Sequence, residues 1–234
     1  MRIQILFLIA SLLGCSPPQS PEDAYQDFLR SFKEANAIEA QISMKAWYAL
    51  DGGEPKLVQD TSLNFNVARP CHGQIQFRGR QLRQSEEAYV WEDHWTGFLG
   101  VGSSVHGFDG LQKTVWKIGP SFGSTEDNWP DLAPLRAWAN IKEQTPSKLV
   151  DVLGEDGSPI GFAVDFENFQ HRYILDSSGN WIGGQLLPIG QYAELLPRFE
   201  IEVLFLSLKK NAEAETYTAQ IPKAYRVLSS PPTD

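Results

Sequence analysis

Ile38-Glu39-Ala40-Gln41-Ile42-Ser43-Met44-Lys45-Ala46-Trp47-Tyr48 is the stretch whose reading decides the fold class. Successive side chains of an extended segment point to opposite faces. Ile38, Ala40, Ile42, Met44, Ala46 and Tyr48 therefore share one face, and Glu39, Gln41, Ser43 and Lys45 share the other. That is a half-buried strand, with Asp51-Gly52-Gly53 as its turn. The same period returns downstream. Leu63, Phe65 and Val67 alternate with Asn64 and Asn66; Ile75 and Phe77 alternate with Gln74, Gln76 and Arg78; Tyr89 and Trp91 alternate with Ala88, Val90 and Glu92. Four such strands joined by short polar links predict an antiparallel meander.

Upstream, the period is helical. Ser20-Pro21-Glu22-Asp23 offers a capping serine, a proline at the first helical position and an acid three residues after the cap. Tyr25, Phe28, Leu29 and Phe32 follow at i, i+3, i+4 and i+7. This predicts a helix over about 21–36 with one aromatic stripe, which must be laid against something. Core packing is one reading of that stripe, and a lid over an apolar cavity is the other.

Downstream, Gly97 to Gly123 is rich in Gly and Ser and reads as irregular, with strand-like fragments such as Thr114-Val115-Trp116. Asp131 to Ile141, with Leu132, Leu135 and Trp138, reads as a short helix. Strands then resume: Lys148–Leu153, a segment with Ile160, Phe162, Val164 and Phe166 on one face, His171–Leu175, Trp181–Leu187, and a segment where Ile201, Val203 and Phe205 oppose Glu200, Glu202 and Leu204. Thr216–Ala219 and Ala224–Leu228 read as last short strands. The expected class is α+β: a strongly curved antiparallel sheet, an incomplete β-barrel, with the N-terminal helix and the mid-chain helix covering its concave face. One domain over 21–228 is expected, followed by a polar tail, 229–234.

The first residues read differently. Met1-Arg2 precedes an apolar run from Ile3 to Leu13, too short to span a bilayer, which takes roughly 20 residues. It has the pattern of a secretory signal. Leu12-Leu13-Gly14-Cys15 resembles the lipobox of bacterial lipoproteins. The resemblance implies residues 1–14 as signal peptide, a diacylglyceryl thioether on Cys15, and 15–20 as tether. Several acyl chains on one cysteine meet the need for more than one membrane signal. Ser16, in place of the Asp that often retains such proteins at an inner membrane, implies the outer membrane, facing the periplasm. With Cys15 lipidated, Cys71 has no disulfide partner and is expected as a buried, inert thiol.

Composition limits the partners. The chain of 234 residues is 42% hydrophobic with a net charge of −9. It lacks the basic excess that neutralises phosphates, so no nucleic-acid partner is expected. Nor would this surface seek anionic headgroups by charge.

Val67-Ala68-Arg69-Pro70 after a strand, the strand Gln74–Arg78, and Leu82–Trp91 ending in Tyr89 and Trp91 resemble the periplasmic lipoprotein-carrier superfamily, the LolA/LolB-like fold. Tyr217-Thr218-Ala219-Gln220-Ile221-Pro222 is similar to that family's closing aromatic-x-x-x-Pro segment. The resemblance implies an open barrel that holds acyl chains, without enzyme activity, metal or cofactor. It implies that Arg69 bonds the lid to the barrel and sets open and closed states. Ser85-Glu86-Glu87, where carriers commonly have Asp-Gly, and Cys71-His72-Gly73 after Arg-Pro depart from the pattern.

The expected cavity lining is Tyr25, Phe28, Phe32, Phe65, Phe77, Tyr89, Trp91, Phe162, Phe166 and Phe205. Catalytic chemistry is not evident. His72, His94, His106 and His171 lack the spacing of a helical zinc pair. Asp93-His94 reads as an exposed loop pair. Gly102-Ser103-Ser104-Val105-His106 fails the nucleophile-elbow spacing. Three readings stay open: a monomeric membrane-anchored lipoprotein binding lipid or acyl chains, with a role in lipid or lipoprotein transport and a possible envelope protein partner; a structural or interaction lipoprotein of the same fold without ligand; and an envelope hydrolase.

Overall fold

The computed structural model describes residues 20–49, 53–69, 71–85, 88–119, 147–166, 168–217 and 219–232. Helix α1 (Pro21–Glu34) starts where the cap predicts: the Asp23 amide donates to Ser20 Oγ at 3.2 Å, and the Ala24 amide to the Ser20 carbonyl at 2.9 Å. The expected helix at 131–141 lies outside the described residues, as do Cys15 and its tether.

The strands are β1 (Ala37–Tyr48), β2 (Lys56–Ala68), β3 (His72–Gln84), β4 (Tyr89–Val101), β5 (Ser104–Asp109), β6 (Thr114–Gly119), β7 (Lys148–Leu153), β8 (Pro159–Asp165), β9 (Phe169–Leu175), β10 (Trp181–Pro188), β11 (Arg198–Lys209) and β12 (Arg226–Leu228). They form one twelve-stranded sheet in the order β12-β6-β5-β4-β3-β2-β1-β11-β10-β9-β8-β7, which does not close. Two antiparallel meanders, β1–β6 and β7–β11, are joined where β1 pairs with β11. Among the described residues only β12 runs parallel to its neighbour, β6.

One face of this sheet is apolar from β1–β3 across to β8–β11. Ile38, Ala40, Ile42, Met44, Ala46, Leu63, Phe65, Ile75, Phe162, Val164, Tyr173, Trp181, Leu186, Phe199 and Ile201 are buried in a single cluster with Tyr25 and Phe28 of α1. One amphipathic helix can share a core with so many strands only if the sheet curls around it. The predicted open, curved sheet with an N-terminal helix is the observed architecture. On the opposite face, directly opposed residues alternate in sign across five strands: Glu200, Lys45, Asp60, Arg80 and Asp93. Opposite charges at such positions support one register over its neighbours.

Two readings are corrected. The stretch taken as irregular after Gly97 holds the end of β4 and all of β5 and β6. Two of its glycines sit beneath aromatic rings: a Cβ on Gly107 would lie 2.7 Å from the Trp116 indole, and one on Gly110 would lie 2.2 Å from the Trp95 ring. Glycine there makes room for a flat indole rather than marking a loop. Thr216–Ala219 is not a strand, because residues 214–217 form a 3-10 turn.

That turn begins a strap across the convex face. Tyr217 is buried against Ala37 and Ala68, and its hydroxyl donates to Glu39 Oε1 at 2.7 Å. Ala219, Ile221 and Tyr225 then pack on Leu99, Phe108 and Val115 before β12 joins the edge of β6.

Candidate functional site

The site is built at the junction of the two meanders. β10 pairs with β11 only from Gly183–Leu186 against Glu202–Phe199. Beyond Glu202, β11 pairs with β1 alone among the described residues. The alternation of β11 also slips there. Ile42 is opposite Val203 but Gln41 is opposite Phe205, so Leu204 is an extra residue, a β-bulge. Before the bulge, Phe199, Ile201 and Val203 point into the core; after it, Leu206 and Leu208 do. A second bulge in β10, between Trp181 and Gly183, leaves Ile182 unpaired on the facing side of the gap.

A cleft of about 610 Å³ occupies this gap. Its inner wall is Ala24, Phe28 and Phe32 of α1 with Leu175, Trp181, Val203, Leu206 and Leu208. Its outer rim is Ile182, Leu204 and Phe205, which are 45%, 53% and 51% exposed. Residues of both sheet faces line one cleft, so it is a side window from the core under α1 to the outside.

The polar groups of the cleft are occupied locally. Ser31 Oγ donates to the Phe28 carbonyl at 2.7 Å, Asn180 Nδ2 to Asp176 Oδ2 at 2.9 Å, and Asp27 pairs with Arg30 at 3.0 Å. The Asn180 amide holds the Asp176 carboxyl below its ordinary value. The lining is therefore mixed: an apolar inner wall and rim beside the polar surface of Asp27, Ser31, Gly179 and Asn180, which suits a ligand with an apolar body and a polar end.

The helix forming one wall is anchored at both ends of its stripe. The Phe28 ring lies 4.7 Å from Tyr173, 4.9 Å from Phe32 and 5.8 Å from both Phe162 and Trp181. Tyr25 meets Phe162 edge-on at 5.8 Å. At the C-terminal end, Arg69 Nη2 donates to the Lys33 carbonyl at 2.9 Å, and the Arg69 amide donates to the Asn36 carbonyl at 2.9 Å. Arg69 thus ties the end of β2 to the last turn of α1, where the terminal carbonyls attract a cation.

The expected lining divides into four groups. Phe28 and Phe32 line the cleft. Tyr25, Phe65, Phe162 and Phe166 are core filler, and Phe77 is half-buried beside Phe98 at a ring distance of 6.2 Å. Phe205 reaches the cleft only from its rim, because the Leu204 bulge turns it to the Gln41 side. Tyr89 and Trp91 do not line the interior. Both are 38% exposed, and Trp91 stacks with the Arg80 guanidinium at 4.8 Å on the outer face. Alternation groups residues by face but does not name the face. The wall residues Leu206, Leu208, Val203 and Leu175 were missed. Their signal was the apolar run Val203-Leu204-Phe205-Leu206, which a regular half-buried strand does not contain.

His94 also departs from its reading. It lies on β4, half-buried, with Nε2 3.1 Å from Thr61 Oγ1, and burial pushes its pKa down. Cys71 is buried, its Sγ 3.3 Å from the Gly102 carbonyl, and burial pushes the thiol up. Among the described residues no group of His, Cys, Asp or Glu is placed to hold a metal ion, and no helix is long and apolar enough to cross a membrane.

No family model and no curated relative matches the sequence. Two solved structures are similar over most of the chain. LprF from Mycobacterium bovis aligns with 91% of this chain and 100% of its own, at 12% identity and a TM-score of 0.39. MucB in complex with MucA(peri) aligns with 88% of this chain and 62% of its own, at 14% identity and a TM-score of 0.32.

Proposed function

We propose that this chain is a lipid-anchored protein of the cell envelope that holds a hydrophobic ligand, the acyl chains of a lipid or lipoprotein, between α1 and the curved sheet. The observation carrying this reading is the cleft of about 610 Å³ beneath α1, whose inner wall is aromatic and aliphatic, within the roughly 300–1,000 Å³ of small-ligand sites. The lipobox-like Leu12-Leu13-Gly14-Cys15 supports the anchor, and the LolA/LolB-like order of elements supports the ligand class. The role assigned is binding as a monomer, without catalysis, metal or cofactor.

The test has two parts. Protein purified from membranes is extracted with organic solvent and analysed by mass spectrometry, with co-purifying acyl lipid expected. A fluorescent C16 fatty acid is then titrated into the chain and into Leu206→Trp, whose indole fills the inner wall. Binding weakened about tenfold in the variant supports the cleft; equal binding in a folded variant refutes it. A second reading, an interaction lipoprotein without ligand, is favoured by one observation. Four of the ten expected lining aromatics, Tyr25, Phe65, Phe162 and Phe166, are spent on filling the core. An empty extract together with no titratable binding would select it.

A further inference from the structure

We infer that the rim of the side window, Ile182, Leu204 and Phe205, seats on a lipid bilayer, so that an acyl chain passes between membrane and cleft sideways through the β10–β11 gap. The second half of this inference rests on the acyl-binding reading above. Three observations carry it. First, the rim is assembled by two separate bulges, one per strand, which turn outward Ile182 and Phe205, residues that regular alternation would turn inward. Ile182, Leu204 and Phe205 are all about half exposed, and a contiguous apolar rim on a protein of net charge −9 calls for an apolar counterpart. Second, the rim is continuous with the inner wall, since Leu204 and Phe205 adjoin Val203 and Leu206 in one cleft. An acyl chain leaving the bilayer there meets an unbroken apolar track along β11, from Leu204 and Phe205 to Val203 and Leu206. Third, the chain before the structure is short. Cys15 lies six residues before Pro21, a reach of about 20 Å when extended, and Ala24 in the opening turns of α1 already lines the cleft. A lipid on Cys15 would keep the window near the membrane. The contact expected is with the apolar part of a neutral bilayer and is insensitive to salt.

The full chain with its anchor is reconstituted into phosphatidylcholine vesicles. A spin label is placed at Ile182→Cys or Leu204→Cys, and at Leu111→Cys, an equally exposed apolar residue in the β5–β6 turn. Buried Cys71 stays unlabelled. Labels at 182 and 204 are expected to gain oxygen accessibility and lose accessibility to a water-soluble nickel chelate, unlike that at 111. Equal water exposure at all three overturns the docking. In Leu204→Glu/Phe205→Glu, loading of fluorescent C16 acid from vesicles is expected to slow about tenfold more than loading of the same acid from solution. Equal slowing of both overturns passage through the window. If the unmodified chain takes up no acid from solution, the acyl-binding reading and the passage fail together, and the spin labels still decide the docking.

Discussion

Phe28→Ala tests the joint on which the fold and the site both depend. Phe28 is 8% exposed and touches the rings of Phe32, Phe162, Tyr173 and Trp181, so truncation removes one helix anchor and leaves a void. Buried Phe→Ala changes cost about 3–5 kcal/mol. With three strands supplying partners, limited collapse and a value near about 4 kcal/mol are expected. For a chain of this length each kcal/mol lowers Tm by about 2–4 °C, giving a fall of roughly 8–16 °C. The assay is thermal unfolding followed by near-ultraviolet circular dichroism, which reports the aromatic cluster. Phe205→Ala serves as the comparison. It removes a ring of similar size from the rim and should shift Tm by no more than about 2 °C. A Phe28→Ala protein melting within about 2 °C of the parent would refute the packing of α1 inside the sheet, and the cleft with it.

Arg69→Leu removes the guanidinium bond to the Lys33 carbonyl. The bond is solvent-exposed, so Tm should fall only a few degrees, whereas release of bound C16 acid, followed by stopped-flow fluorescence, should quicken several-fold; equal loss of both would make Arg69 a structural cap. Glu39 accepts from Lys209 at 2.5 Å and from Tyr217, and those bonds hold its carboxyl below the ordinary glutamate value. Its contribution is therefore complete above the unfolded value of about 4.3 and lost as pH falls through the lower folded value. Glu39→Gln should flatten the acid limb of a stability–pH curve, leave the neutral part unchanged in shape, and weaken the alkaline loss that comes from Lys209, whose pKa Glu39 raises. Cys71 should resist iodoacetamide at pH 8 in the native protein and react fully in denaturant, as counted by mass spectrometry.

The strands legible in the sequence were those whose two faces differ chemically. β1 alternates Ile38, Ala40, Ile42 and Met44 with Glu39, Gln41 and Ser43, and α1 shows its aromatic stripe between a serine cap and Asn36. The start of β4 and Thr114-Val115-Trp116 of β6 were legible, but the end of β4 and all of β5 were not, because Gly97, Gly107 and Gly110 mimic loop composition, while their role depends on Trp95, Trp116 and Phe108 arriving from neighbouring strands. The convex-side packing of Leu99, Val115 and Tyr217 was hidden because a strand covered on both faces loses the contrast that period-two reading requires. The site was half legible. Phe28 and Phe32 follow from helical spacing, but the window depends on β10 stopping short beside β11. Pairing length is set between strands rather than within either one.

The strap that ends in β12 has a consequence for biosynthesis. A ribosome delivers β6 over a hundred residues before Arg226-Val227-Leu228, so the outer border of β6 waits without that strand while the intervening residues emerge. Unguarded borders recruit stray chains. A nascent molecule halted before Arg226 would lack its guard strand, making Arg226–Leu228 a poor place to interrupt translation or graft a bulky insertion.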